Sequence, residues 1–157
     1  MGNWWKGVSD ARLRECEKAL LQVNGIPDAD CRIRDVPLDD SADSQNFVHE
    51  IRVKGARDGL PNMVLIHGYL SGGAQFAKMM GHLRSHFNLY AIDMVGFGCS
   101  GRPQGVQFTD FESTLDFFIS RIHKWTQMTD LPGEKFYLLG HSLGGMIGSF
   151  YAMKHQD

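Results

Sequence analysis

The sequence predicts an α/β protein in which a mostly parallel sheet carries helices on both of its faces. Three short apolar runs, at residues 63–66, 89–92 and 136–139, are typical of strands that are buried on both sides. Stretches with helical periodicity separate these runs, and such an alternation produces parallel strands joined by right-handed crossovers. The chain has 157 residues, which is enough for one domain with a substantial core.

The first predicted element is a helix that begins after Ser9, a residue able to cap it, and ends before Gly25 and Pro27. Apolar side chains recur along it at spacings of three, four and three residues, which predicts a buried stripe. The stripe consists of Leu13, Cys16, Leu20 and Val23.

Residues 31–38 and 47–54 alternate apolar and polar side chains, as half-buried strands do, and the polar residues 39–46 form the turn between them. We therefore divide the chain into an N-terminal amphipathic helical segment, 1–30, and an α/β domain, 31–157. Neither part contains a repeat or a low-complexity tract.

Three helices are predicted between and after the buried strands. The first places Phe76, Leu83 and Phe87 on one side. The second opens with a capping box in which Glu112 follows Thr109 by three residues, and Pro132-Gly133 ends that region. The third covers residues 143–154.

Charge and cysteine content exclude several classes of function. The 16 Lys and Arg residues face 18 Asp and Glu residues, so the chain lacks the basic excess that binding to nucleic acid requires. Three cysteines without C-x-x-C spacing predict a reducing compartment, and we expect a cytoplasmic protein. No stretch resembles a signal peptide or a membrane span.

We expect no cofactor and no metal, since the one H-x-x-x-H pair, His82 and His86, has no glutamate between its members.

The strongest functional signal is Gly140-His141-Ser142-Leu143-Gly144, a G-x-S-x-G sequence between a predicted buried strand and a helix. A nucleophilic serine needs a sharp turn that lifts its hydroxyl above the sheet. Gly140 and Gly144 allow the strand and the helix to approach each other there. The helix N-terminus would direct N–H groups towards a developing oxyanion, and the first of them belongs to Leu143.

A second signal, His67-Gly68-Tyr69, directly follows the first buried strand. Acyl transfer requires two backbone donors for the oxyanion, and the Tyr69 N–H is placed to be the second, after Leu143. The neighbours of the His67 side chain favour a packing and positioning role for it.

A third signal begins at Asp93 and runs to Pro103, with glycines at positions 96, 98 and 101. The proline argues against a helix here and therefore against a dinucleotide fingerprint. We interpret the segment as a turn over the C-terminal edge of the sheet, held by Asp93 and Arg102.

Together these three motifs resemble the α/β-hydrolase superfamily, in order and in spacing, over about residues 46–157. Trp4-Trp5 and the helix after them are similar to the phospholipid-handling subfamily, which includes N-acyl phospholipid hydrolases and a lipid-droplet lipase co-activator. The resemblance implies a serine hydrolase of the esterase, lipase or phospholipase type. A serine at position 142 matches the catalytic branch, since the co-activator branch has another residue there.

The histidine and the acid of a Ser–Asp–His triad are missing from the expected positions. After Ser142 only His155 and Asp157 follow, and His155 lies 13 residues on, about 20 Å along a helix. Four other histidines precede the serine and are expected at the surface: His49, His82, His86 and His123. We therefore expect an N-terminal half of a hydrolase, truncated after the nucleophile helix, with no turnover of its own.

Two other functions fit the sequence. A non-catalytic protein that binds a partner, a membrane or a lipid droplet could use Trp4-Trp5, although the mixed charges of the following helix favour packing of both rings on the core. A peptidase of the same fold is the other. The H-x-x-x-x-D spacing of acyltransferase relatives is absent, since no histidine has an aspartate five residues on.

Overall fold

The computed structural model describes residues 9–39, 45–131 and 135–155, and these form one five-stranded sheet with helices on both faces. The predicted α/β class is confirmed. The strands are β1 (Cys31–Pro37), β2 (Phe47–Val53), β3 (Asn62–Ile66), β4 (Asn88–Ile92) and β5 (Phe136–Gly140). The helices are α1 (Asp10–Val23), α2 (Ala77–Leu83), α3 (Phe111–Met128) and α4 (Leu143–Lys154), with short 3-10 helices at Asp28–Asp30 and Gly73–Phe76.

The strand order is β1-β2-β4-β3-β5. The pairs β1–β2 and β2–β4 are antiparallel, whereas β4–β3 and β3–β5 are parallel. The crossovers through α2 and α3 produce the parallel half, because parallel neighbours need a long connection. The carboxyl ends of β3, β4 and β5 therefore meet at one edge of the sheet.

Two apolar layers lie on opposite faces of the sheet, because successive strand residues point to opposite sides. On β3, Val64 and Ile66 pack in the layer below α3 and α4. Met63 and Leu65 pack in the layer below α1 and α2. Burial on both sides explains the uninterrupted apolar character of this strand.

The buried face of α1 differs from the predicted stripe. Ser9 caps the helix as expected, accepting a hydrogen bond from the Arg12 N–H, but the predicted stripe is largely exposed, with Val23 at 79%. Glu17 and Leu21 face the sheet instead. The prediction was wrong because it placed Glu17 on the polar, outward face of the helix. Glu17 faces inward because it pairs with the buried side chain of His49.

Smaller differences concern helix boundaries. The predicted helix over residues 76–87 divides into a 3-10 turn and α2, which ends at Leu83. Asp110, one residue after the predicted cap Thr109, is the N-cap of α3. Trp4-Trp5, Pro132-Gly133 and Asp157 lie outside the described residues, as does most of the turn at 39–46. Within the part of the chain that the structure describes, no helix combines the length and apolarity needed to cross a bilayer.

Candidate functional site

Ser142 lies in the tight turn between β5 and α4, at the carboxyl edge of the sheet. Its backbone angles are φ 53° and ψ −118°, a conformation that L-residues rarely adopt. Apart from glycines, only Leu70 shares a positive φ among the described residues. Such a conformation costs about 1–3 kcal/mol and persists where the surrounding structure enforces it. The residue is exposed, and its side chain makes no capping hydrogen bond to α4.

Close backbone approach enforces this turn. A Cβ atom on Gly140 would lie 2.4 Å from the carbonyl oxygen of Gly144. A Cβ atom on Gly144 would lie 2.3 Å from the carbonyl oxygens of both Ile66 and His67. The His141 N–H also donates to the Ile66 carbonyl over 3.0 Å. A side chain at position 140 or 144 would therefore collide with the neighbouring backbone, which is why the sequence has glycine at both. These contacts also place the start of α4 directly above the end of β3.

The loop after β3 passes beside the serine. A Cβ atom on Gly68 would lie 3.2 Å from the Ser142 Cβ and 2.9 Å from the His141 Nδ1. Gly68 therefore allows the loop that continues into Tyr69 to pass close to the serine turn. Neither the Tyr69 N–H nor the Leu143 N–H has a hydrogen-bond partner among the described residues.

His67 is completely buried below this loop, and backbone groups occupy both of its ring nitrogens. The Met94 N–H donates to Nε2 over 2.9 Å, which places the ring proton on Nδ1, 2.7 Å from the Gly68 carbonyl oxygen. Burial lowers the pKa of His67, so the ring stays neutral near pH 7. The side chain orients the loop that carries Tyr69 and has no free nitrogen for Ser142.

Asp93 joins the loops that follow β3 and β4. Its carboxylate accepts the Gly73 N–H over 2.5 Å and the Cys99 N–H over 2.6 Å. Burial raises the pKa of Asp93, and the two N–H donors oppose that effect. Arg102 holds the second loop by donating to the carbonyls of Ser100 and Gly98, each over 3.0 Å. Both side chains therefore make the loop contacts expected from the sequence.

Two of the four histidines expected at the surface lie elsewhere. His49 is completely buried between Asp35, 2.8 Å from Nδ1, and Glu17, 3.1 Å from Nε2. Burial alone would lower the pKa of His49, but the hydrogen bonds to both carboxylates outweigh it and raise the pKa overall. His123 is half-buried and stacks on His155 with ring centroids 4.0 Å apart. The expectation failed because the carboxylate partners of His49 come from two other elements. His82 and His86 are exposed as predicted.

Sequence reasoning also missed a cluster on the α1 face of the sheet. One ligating atom each from Glu17, His49 and Cys99 lies within 4.8 Å of the other two. These residues belong to α1, β2 and the loop after β4, so no local spacing links them. The one available signal is that β1 and β2 pair as a hairpin, which brings Asp35 opposite His49.

The strand order, the serine turn and the adjoining glycine loop are typical of the α/β-hydrolase fold, and the comparison with known families agrees. Residues 61–157 match the alpha/beta hydrolase fold family, and the chain belongs to it.

Among individual proteins, the chain is 38% identical over 104 residues to the 1-acylglycerol-3-phosphate O-acyltransferase of Arabidopsis thaliana, covering 65% of this chain and 24% of that protein. It is 31% identical over 117 residues to the human (lyso)-N-acylphosphatidylethanolamine lipase, covering 74% and 33%. The naproxen esterase of Bacillus subtilis shares the fold with a TM-score of 0.69 at 19% identity, covering 96% of this chain and 48% of that one. The chain thus spans less than half the length of each of these proteins.

Proposed function

We propose that this chain supplies the nucleophile and the oxyanion hole of a serine hydrolase that acts on acyl esters of lipids. The observation that carries the proposal is the Ser142 turn, with its positive φ and its contact with the Gly68 loop. In this proposal the strained backbone directs the Ser142 hydroxyl towards the N–H groups of Tyr69 and Leu143, which are unpaired among the described residues. This combination is the geometry that acyl transfer requires.

In the proposed reaction the Ser142 Oγ attacks the ester carbonyl carbon, and the carbonyl oxygen becomes an oxyanion. The N–H groups of Tyr69 and Leu143 would donate to that oxyanion, at the positive end of the α4 dipole. Collapse of the intermediate breaks the ester C–O bond, and the alcohol leaves with a proton. Water then cleaves the acyl-serine bond and releases the acid.

Two observations support a lipid substrate. The names of the similar Arabidopsis and human proteins both refer to acyl lipids. In addition, the loop beside Ser142 exposes Tyr69 to 68% and Leu70 to 81%, an apolar surface directly beside the serine. We propose that the substrate is met at a membrane or lipid-droplet surface. We propose water as the acyl acceptor, as in a lipase reaction, the class that the name of the similar human protein gives.

We further propose that the triad histidine and acid are not among the described residues. His67 is occupied by backbone groups, and His49 by two carboxylates. His155 stacks on His123 beyond the far end of α4. These side chains cannot accept the Ser142 proton without leaving their partners.

Labelling with a fluorophosphonate tests the nucleophile, because one displacement at serine is enough for a covalent product. An oxyanion hole alone retains about 10³–10⁴-fold catalysis over water. We therefore expect slow labelling that peptide mapping assigns to Ser142 and that is absent at this position in Ser142→Ala. Ser149→Ala is the matched control, since Ser149 is exposed on the same helix and donates to the Gly145 carbonyl.

A second variant tests the neighbouring loop. In Gly68→Ala the new Cβ would press on Ser142 and His141, and we expect labelling at least about tenfold slower in a chain that still folds. Equal labelling of wild type and Ser142→Ala, or a label spread over several serines, would refute the proposal. The peptidase alternative can be tested in a protein that combines this chain with a complete triad. If that protein cleaves a peptide amide faster than an acyl ester, the peptidase function is favoured.

A further inference from the structure

We propose that Glu17, His49 and Cys99 form a binding site for a divalent transition-metal ion, for which Zn²⁺ is the best match. The site lies on the α1 face of the sheet. It is separate from the Ser142 turn and does not depend on the proposed hydrolase activity.

The three side chains converge from three elements. Glu17 Oε2 lies 3.1 Å from His49 Nε2, and the Cys99 thiol lies 3.9 Å from Glu17 Oε1. All three ligating atoms lie within 4.8 Å of one another. Typical zinc bond lengths in a tetrahedron imply separations of about 3.3 Å between nitrogen and oxygen ligands and about 3.6 Å where sulfur is one of the pair. These two contacts need shifts of a few tenths of an ångström, and a pair separated by as much as 4.8 Å would have to close by about 1 Å.

The surroundings of His49 match the usual arrangement around a metal-bound histidine. Asp35 lies 2.8 Å from Nδ1, so an Nδ1–H donor to this carboxylate leaves Nε2 to face Glu17 and Cys99. Arg14 pairs with Asp35 over 2.5 Å and fixes the carboxylate in turn. The imidazole is 0% exposed, so its orientation is set by packing as well as by this bond.

The electrostatic field at the cluster favours a cation. Carboxylate oxygens of Asp35 and Glu17 lie 2.8 Å and 3.1 Å from the two ring nitrogens of His49, which is completely buried. An excess of negative charge around a buried imidazole is neutralised by a dication at the position where a proton would otherwise lie.

The donor set selects the class of ion. Imidazole and thiolate ligands favour zinc and its transition-metal neighbours over magnesium and calcium, which prefer oxygen. Three protein ligands leave one tetrahedral position for water. Such an ion would join α1 to β2 and to the loop that Asp93 anchors. The ion would therefore stabilise the position of α1 on the sheet.

Cobalt(II) titration of the metal-free chain tests the site, because a cobalt–thiolate bond gives a near-ultraviolet charge-transfer band. We expect one equivalent to bind with this band, and we expect Zn²⁺ to displace it. Cys99→Ser should lose the band and at least about tenfold in affinity. Cys16→Ser is the matched control and should retain both, since Cys16 is exposed on α1 one residue from Glu17.

A measurement on the wild-type chain avoids any loss of fold in a variant. Saturating Zn²⁺ should slow alkylation of Cys99 while leaving the rate at Cys16 unchanged. When the free Zn²⁺ concentration is about one hundred times the dissociation constant, Zn²⁺ should also raise the Tm of the chain by roughly 5–10 °C. Absence of saturable cobalt binding, or a charge-transfer band that survives Cys99→Ser, would overturn the proposal.

Discussion

Glu50 on β2 is a fully buried carboxylate whose three partners come from β1 and from the C-terminal end of α3. Arg34 donates to Oε1 over 2.9 Å, while Trp125 and Thr129 donate to Oε2 over 2.9 Å and 2.7 Å. Arg34 also donates to the Thr129 hydroxyl over 2.7 Å. A buried charge of this kind is tolerated only while its partners remain, because an unpaired ion in the interior is strongly destabilising.

Removing the cation from this group should therefore lower stability sharply. We expect Arg34→Met to reduce the free energy of unfolding by about 3–5 kcal/mol, since the completely buried Glu50 would lose its counterion. Arg32→Met is the control on the same strand, because the Arg32–Asp130 pair is 4.0 Å long and both side chains are 59% exposed. We expect the control to change stability by no more than about 0.5 kcal/mol. Urea unfolding of both variants measures this, and equal effects would show that burial of Glu50 does not decide the outcome.

Among the helices, α3 shows how closely a cap depends on one position. Asp110 Oδ1 accepts the Ser113 N–H over 2.7 Å, and Ser113 Oγ accepts the Asp110 N–H over 3.2 Å. The sequence contained two overlapping patterns, and the one chosen, Thr109 with Glu112, lies one residue too early. Both Thr109 and Asp110 are favourable caps, so residue type alone does not distinguish them.

The charge of this cap should make its contribution dependent on pH. Hydrogen bonds from the Ser113 N–H and hydroxyl lower the pKa of Asp110. The ionised carboxylate therefore stabilises the fold at pH values above the ordinary pKa of an aspartate, and this stabilisation is lost as the pH falls through the lowered pKa. We expect Asp110→Ala to lower Tm at pH 7, and the difference from wild type to shrink below about pH 4.

Thr109→Ala should have a smaller effect on Tm at pH 7, since the Thr109 hydroxyl only supports Asp110 over 3.1 Å. Thermal unfolding followed by circular dichroism at several pH values checks both variants. A pH-independent difference for Asp110→Ala, or a larger effect from Thr109→Ala, would contradict the observed cap.

For the whole chain, the site geometry predicts a nucleophile without a general base among the described residues. Multiple turnover needs a base that activates water against the acyl-enzyme, whereas a single labelling event does not. We therefore expect the 157-residue chain to hydrolyse a p-nitrophenyl ester no faster than its Ser142→Ala variant. Steady-state assays with a folded sample measure this. Turnover that Ser142→Ala abolishes would show that one of the seven histidines reaches the serine after all.

Much of the molecule could be predicted because its signals are local. The apolar run of β3 needs only burial on two faces, and the G-x-S-x-G turn needs only its own five residues and the flanking strand and helix. The predicted limits of α4, residues 143–154, match the structure.

The remaining features depend on contacts between distant parts of the chain. The inward face of α1 depends on Glu17 meeting His49, 32 residues away along the chain. The Glu50 group depends on Thr129, 79 residues away. Hydrophobic periodicity treats a charged residue as exposed, so it fails where another element supplies the compensating charge.

The carboxylate of Asp93 connects two backbone segments, one at Gly73 and one at Cys99. Because one rigid group holds both Gly73 and Cys99, the two segments cannot be displaced independently. Alkylation of Cys99, or an ion bound to its sulfur, would therefore also act on the segment at Gly73, since the same carboxylate fixes both backbones.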